Sequence, residues 1–177
     1  VVNGYLDRNP ILKIFIGDSP IKPKDKRLSL EEFQSWDACA KKILRKYDYA
    51  MVRISYFGVR RSEIMGIKFS SLKLVNGRFR IHLDESRTYR RPNGSGMKTK
   101  QSERYVVVDE ETTELLKYAI KKSKKIAKEA GRILNKDDFL FLDNGSNIRK
   151  NIGKPIAYVR IANLFRNVSA VNGKHVT

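Results

Sequence analysis

The segment Gly58-Val59-Arg60-Arg61-Ser62-Glu63-Ile64 places an arginine two residues after a glycine, where one apolar stretch ends and another begins. A glycine at a helix end lets the chain reverse through φ > 0. An arginine at the start of the next helix offers a planar fork of donors that fits two phosphate oxygens. Free N–H groups and the positive dipole end favour an anion at the same place. A second segment, 97–108 (MKTKQSERYVVV), carries Lys98 and Lys100 on a polar stretch ahead of a β-branched run. A lysine on a mobile hairpin can reach into a groove and give a proton to a leaving oxygen, a role that needs the ammonium form a nearby phosphate stabilises. Taken alone, each segment reads more simply as solvated surface: an arginine beside a helix break paired with Glu63, and a basic loop.

The elements that must position these residues follow from period and punctuation. Ser29-x-x-Glu32 is a capping box that opens a helix running to about Lys46, with Phe33, Trp36, Ala40, Ile43, Leu44 and Tyr47 on its core face. A second helix covers about Tyr49 to Phe57, Gly58 interrupts it, and Arg60 to Ile67 makes a further short turn of helix. The period then changes to that of strands over 71–75, 78–84 and 103–108, with Asn76-Gly77 a strong tight-hairpin signal between the first two. A long basic loop, SRTYRRPNGSGMKTKQS, joins the second strand to the third. A helix from about Glu110 to Ala130 is stopped by Gly131, and its lysine stripe (Lys117, Lys121, Lys124, Lys125, Lys128) reads as a solvated face. Phe139-Leu140-Phe141 is a short buried extended segment, and a last helix runs from about Pro155 or Ile156 to about Val168. The expected fold class is therefore α+β, mostly helical, with a small three-stranded antiparallel sheet.

Composition narrows the partner. The 177 residues hold 37 Lys plus Arg against 19 Asp plus Glu, a formal net charge of +18. Such an excess in a globular domain favours a polyanion, because neutralising phosphates releases condensed counterions. Charge alone does not separate DNA, RNA and an anionic membrane. Membrane is the weakest of the three: no apolar run approaches the ~20 residues of a spanning helix. The opening VVNGYLDRNP also has no basic region followed by an apolar one. The single cysteine, Cys39, excludes an internal disulfide and reads as a buried structural thiol, while His82 and His175 are too isolated for a zinc site. A cytoplasmic location, on DNA, is expected.

Order, spacing and flanking elements together resemble one family, the tyrosine recombinases or phage integrases. LSLEEF is similar to their L-[ST]-x-E-E opening, and YFGVRRSEIMGIKFSSL to their G-[LM]-R-x-[SG]-E-[LI]-x-x-L-x-W-x-D motif. MKTKQSERYVVVD resembles their K-T-K-x-S-x-R-x-[VI]-P-L strand pair, and DFLFLDNGSNIRKNIGKPIAYVRIANLFRNV their LF…G-x-P-[IL]-S segment and its helix. Phe69 stands where the family often has Trp, and Val108-Asp109 where it has Pro-Leu. The resemblance covers 28–177 as a catalytic domain, with 1–27 as a linker leaving an N-terminal DNA-binding domain.

The resemblance implies that Arg60 is the first catalytic arginine on the scissile phosphate and that Glu63 is the acidic residue supporting it, besides stabilising the helix start. It implies that Lys98 is the general acid for the departing 5′ oxygen, with Lys100 the runner-up. Arg61 is an ordinary surface or backbone-contacting residue, and Arg87, Arg90, Arg91 and Lys100 are DNA contacts. GKHVT precedes the family's His-x-x-Arg motif, so His175 is a turn residue rather than the motif histidine. None of the eight tyrosines is in a nucleophile context, Tyr105 being in a strand and Tyr118 and Tyr158 in helices. The expected whole protein integrates or excises a mobile element as a tetramer on duplex DNA, through a 3′-phosphotyrosine intermediate and without metal or other cofactor. This chain is expected to stop before the nucleophile and to be inactive alone. The alternatives are a recombinase-like domain used only for DNA binding or regulation, an unrelated basic RNA-binding protein and, more distantly, a type IB topoisomerase.

Overall fold

The computed structural model describes residues 28–96, 102–145 and 148–176. Among the described residues, five α-helices and five strands follow one another as α1 (Leu30–Ile43), α2 (Lys46–Ser55), α3 (Arg61–Gly66), β1 (Leu72–Val75), β2 (Arg78–Leu83), β3 (Glu85–Thr88), β4 (Arg91–Gly96), β5 (Arg104–Val107), α4 (Glu110–Glu129) and α5 (Arg160–Asn172). The chain is mostly helical, with a three-stranded antiparallel sheet ordered β1-β2-β5, as its sequence predicts.

Local signals set the element starts. The Ser29 hydroxyl accepts the Glu32 amide (3.2 Å) and the Glu32 carboxylate accepts the Ser29 amide (3.0 Å), closing the capping box of α1. Asn76 and Gly77, at φ 49° and 79°, make the two-residue turn that pairs Val75 with Arg78. Alternation along β2 buries Phe79, Ile81 and Leu83 against the helices. At α4, Asp109 caps the Thr112 amide at 2.7 Å and receives Arg53 at 2.6 Å.

Burial raises the Asp109 pKa, but the Thr112 hydroxyl and amide together with Arg53 and Arg78 outweigh it and hold the carboxyl below its ordinary value of 3.8. A depressed folded-state pKa contributes stability that is complete above the unfolded value and lost as pH falls through the folded one. Asp109→Asn, which keeps the cap, is therefore expected to lower the neutral-pH stability by about 1 kcal/mol or less, since solvent screens a half-exposed carboxylate. The gap in melting temperature between the two proteins should close as pH drops below about 4. A gap that is constant with pH would show that charge plays no part.

Several boundaries differ from expectation because distant pairing overrides local periodicity. α1 ends at Ile43 and α2 begins at Lys46, so Tyr47 is buried from α2, while Ile43 is 39% exposed. Cys39 is only partly buried, packed against the core. α5 starts at Arg160 rather than Pro155, because Pro155 bridges Leu142 and the Ile156 amide bonds the Phe141 carbonyl. Tyr158 accordingly lies in the turn before α5, not in a helix.

The larger correction is in the basic loop. Residues 85–96 form a second antiparallel pair, β3-β4, with Thr88 opposite Arg91 and Tyr89-Arg90 as its tip. Asn93 and Gly94 lie inside β4, with Gly94 at φ 83°. Pro92 is tolerated there because β4 is an edge strand. β3 lies against α3 at Gly66, where an added Cβ would come within 2.7 Å of the Glu85 carbonyl oxygen. Only glycine permits that approach.

Candidate nucleic-acid interface

α2 ends at Ser55, and the chain reverses at Gly58 (φ 71°). Val59 is buried and pins the loop to the core, so Arg60 takes the N-cap position of α3 with extended backbone. The first free N–H of the helix does not face solvent: the Arg60 amide donates to Glu63 Oε2 at 2.8 Å. The Arg60 amide is thus satisfied from within, and its side chain is left facing outward. That side chain is 72% exposed and touches Glu63 Oε1 only through Nη1, at 3.4 Å.

Glu63 is 1% exposed. A carboxylate this deep requires cationic partners, and the main one is a residue to which the sequence reading gave no role. Arg104, the first residue of β5, donates from Nη1 to Glu63 Oε1 (3.2 Å) and from Nη2 to Glu63 Oε2 (2.9 Å). Its position inside the KTKQSERYVVVD segment was the available signal. Lys98 and Lys100 fall at 97–101, outside the described residues.

Beside Arg60 runs a groove of about 780 Å³. Its apolar lining includes Phe33, Trp36, Val59, Ile64, Ile161 and Phe165. Arg60, Arg61, Arg166 and His175 also border it. Arg61 is pinned, donating to the Tyr158 hydroxyl at 2.8 Å with its guanidinium 4.7 Å from the ring centre. His175 is exposed, just after the left-handed Gly173 that ends α5.

The β3-β4 hairpin holds the three remaining arginines in two different ways. Arg87 is anchored: Nε donates to the Pro92 carbonyl (2.8 Å), Nη1 to the Ile156 carbonyl (2.7 Å), and the guanidinium lies 5.4 Å from the Phe139 ring centre. Burial lowers its pKa from the ordinary arginine value. Arg90 and Arg91 are exposed at the tip beside Tyr89, itself 84% exposed, and Arg91 donates to Ser95 Oγ at 3.0 Å.

Three tyrosines of α2 and its C-terminal cap, Tyr47, Tyr49 and Tyr56, are poor nucleophiles as placed. Burial and the bonds from both hydroxyls to Asp37 Oδ1 (2.8 and 2.7 Å) push the Tyr49 and Tyr56 phenols well above their ordinary pKa. Burial raises Tyr47 to about 12. Among the described residues no group of three or more His, Cys, Asp or Glu side chains could hold a metal ion, and no helix is long and apolar enough to cross a membrane.

No family model matches the sequence, and no curated protein matches it. Solved structures do match the fold. The Tn1549 transposon integrase in complex with transposon right end DNA is 18% identical with a TM-score of 0.66, over 97% of this chain and 54% of that one. The XerH site-specific recombinase bound to difH substrate, in its pre-cleavage complex, is 17% identical with a TM-score of 0.62, over 96% and 43%. XerA recombinase is 20% identical with a TM-score of 0.54, over 85% and 45%. This chain therefore has a recombinase-like fold and spans about half the length of each structure.

Proposed function

We propose that this chain is the phosphate-gripping part of a tyrosine recombinase, an enzyme that cuts and rejoins duplex DNA through a 3′-phosphotyrosine intermediate. The observation that carries the reading is Arg60: an exposed guanidinium whose backbone is locked by the buried Glu63, in a strongly basic chain with a recombinase-like fold. A rigidly mounted donor that faces solvent matches what an oxyanion clamp needs, because no reorganisation is required as charge develops.

In the proposed reaction a tyrosine hydroxyl, supplied from outside the described residues, gives up its proton to solvent and attacks the scissile phosphorus. The P–O5′ bond breaks, and Lys98, with Lys100 as the runner-up, protonates the departing 5′ oxygen. Arg60 holds a non-bridging oxygen throughout. The phosphodiester energy is kept in the phosphotyrosine, so neither metal nor ATP enters the scheme. Arg90 and Arg91 lie against backbone phosphates, while Arg87 holds their hairpin and adds its charge to the positive field. The whole protein would integrate or excise a mobile element, working as a tetramer on paired sites.

The chain itself is expected to bind duplex DNA weakly, with a steep salt dependence. Arg60→Ala should lower the slope of log K against log salt by about one, the loss of one phosphate contact. Fluorescence anisotropy across a salt series measures it. In the whole protein, on a nicked suicide substrate, Arg60→Ala should slow covalent trapping by roughly 10²–10³, the usual effect of removing one oxyanion donor. Trapping at the wild-type rate would overturn the assignment. Preference for structured RNA over duplex DNA at matched salt would favour the RNA-binding alternative.

A further inference from the structure

Among the described residues, the four acceptors of Arg104 lie on two sides of the Arg60 loop and on the turn just before its own strand. Nη2 donates to the Gly58 carbonyl (3.0 Å), two residues before Arg60, and to Glu63 Oε2 (2.9 Å), three residues after it. Nη1 donates to Glu63 Oε1 (3.2 Å) and to the Ser102 carbonyl (3.3 Å). The same two carboxylate oxygens hold Arg60, Oε2 by its amide and Oε1 by its guanidinium. One planar fork thus bridges the start and end of the segment that presents Arg60, and ties that segment to β5 across 41 residues of sequence.

We infer that Arg104 is a positioning residue for Arg60. It closes the 58–63 segment into a braced loop, so that the Arg60 side chain meets a phosphate without first ordering its own backbone. The inference rests on the reading of Arg60 as a phosphate-binding residue. The plainer role, neutralising a buried carboxylate, needs only a positive charge. Positioning needs the fork, because a lysine ammonium can sit against Glu63 but cannot span Gly58 and both carboxylate oxygens in one plane.

The experiment compares wild type, Arg60→Ala, Arg104→Lys and the double variant Arg60→Ala/Arg104→Lys for affinity to a mixed-sequence duplex at low salt, with thermal melting of each. The expected result is that Arg104→Lys keeps most of the melting temperature yet loses about tenfold in affinity, the scale of one charged hydrogen-bonding contact. It should match the loss from Arg60→Ala, and the double variant should lose no more than Arg60→Ala alone. Should Arg104→Lys fail to fold, the neutral pair Glu63→Gln/Arg104→Gln removes the buried carboxylate together with its partner charge and is expected to show the same loss of affinity. Wild-type affinity in the folded variant, or losses that multiply in the double variant, would overturn the positioning role. Wild-type affinity in Arg60→Ala would instead overturn the phosphate-binding reading, and Arg104's role with it.

Discussion

Replacing Arg160 with alanine is expected to lower the stability of this chain by about 3–5 kcal/mol, the cost of stranding a buried carboxylate. Arg160, the first residue of α5, donates to Asp48 of α2 through Nε (3.2 Å) and through Nη2 to both oxygens (2.7 and 2.8 Å). The Asp48 side chain is 8% exposed, so the guanidinium rather than solvent balances its charge. For a chain of this size the loss corresponds to a drop of roughly 10 °C or more in melting temperature. The double variant Asp48→Asn/Arg160→Ala should recover much of it, because the uncompensated charge is gone. A single variant that melts within about 3 °C of wild type, near 1 kcal/mol, would show that Asp48 finds another partner. The consequence reaches the interface, since α5 forms the groove wall facing the Arg60 loop.

Trp36→Ala is expected to cost a similar 3–5 kcal/mol by a different route. Trp36 is fully buried between α1 and α5, stacked on Phe165 at 5.3 Å and 23°, and its indole N–H donates to Ser169 Oγ at 3.4 Å. Truncation removes apolar area from the core and leaves a cavity under the groove floor. Trp36→Phe keeps the stacking and should cost less than half as much. Urea denaturation followed by circular dichroism measures both variants, because Trp36 is the only tryptophan and its fluorescence disappears with it. Equal costs for the alanine and phenylalanine variants would locate the stabilisation in the Ser169 bond instead of the packing.

These two residues illustrate what could be read along the chain and what could not. Trp36 was legible as core, because it recurs with Ala40 at helical spacing behind a capping box. Arg160 was not: Asp48 lies 112 residues away, and neither charge carries a mark that it will be buried. Arg104 was hidden in the same way, an ordinary basic residue in a basic segment until the fold set it beside Glu63. The β3-β4 hairpin escaped notice for a related reason. Its strands, ESRT and RPNGSG, have no apolar alternation, and they are held by Gly66, Phe139 and Ile156 from elsewhere in the chain. Two strand pairings were legible in part, since Asn76-Gly77 marks its own turn and 103–108 is β-branched.

Residue order alone determined that Arg60 would stand at a helix start with Glu63 three residues on, because a glycine reversal and a carboxylate capping the Arg60 amide are interactions within one turn. Net charge alone pointed to a polyanion, because long-range Coulomb attraction depends on totals more than on arrangement. Only the tertiary structure decided that Glu63 would be sealed from water, that Arg104 would brace it, and that Arg87 would anchor a hairpin while Arg90 and Arg91 face solvent. Each of those outcomes depends on burial, which is a property of elements packed together and is written in no single stretch of the chain.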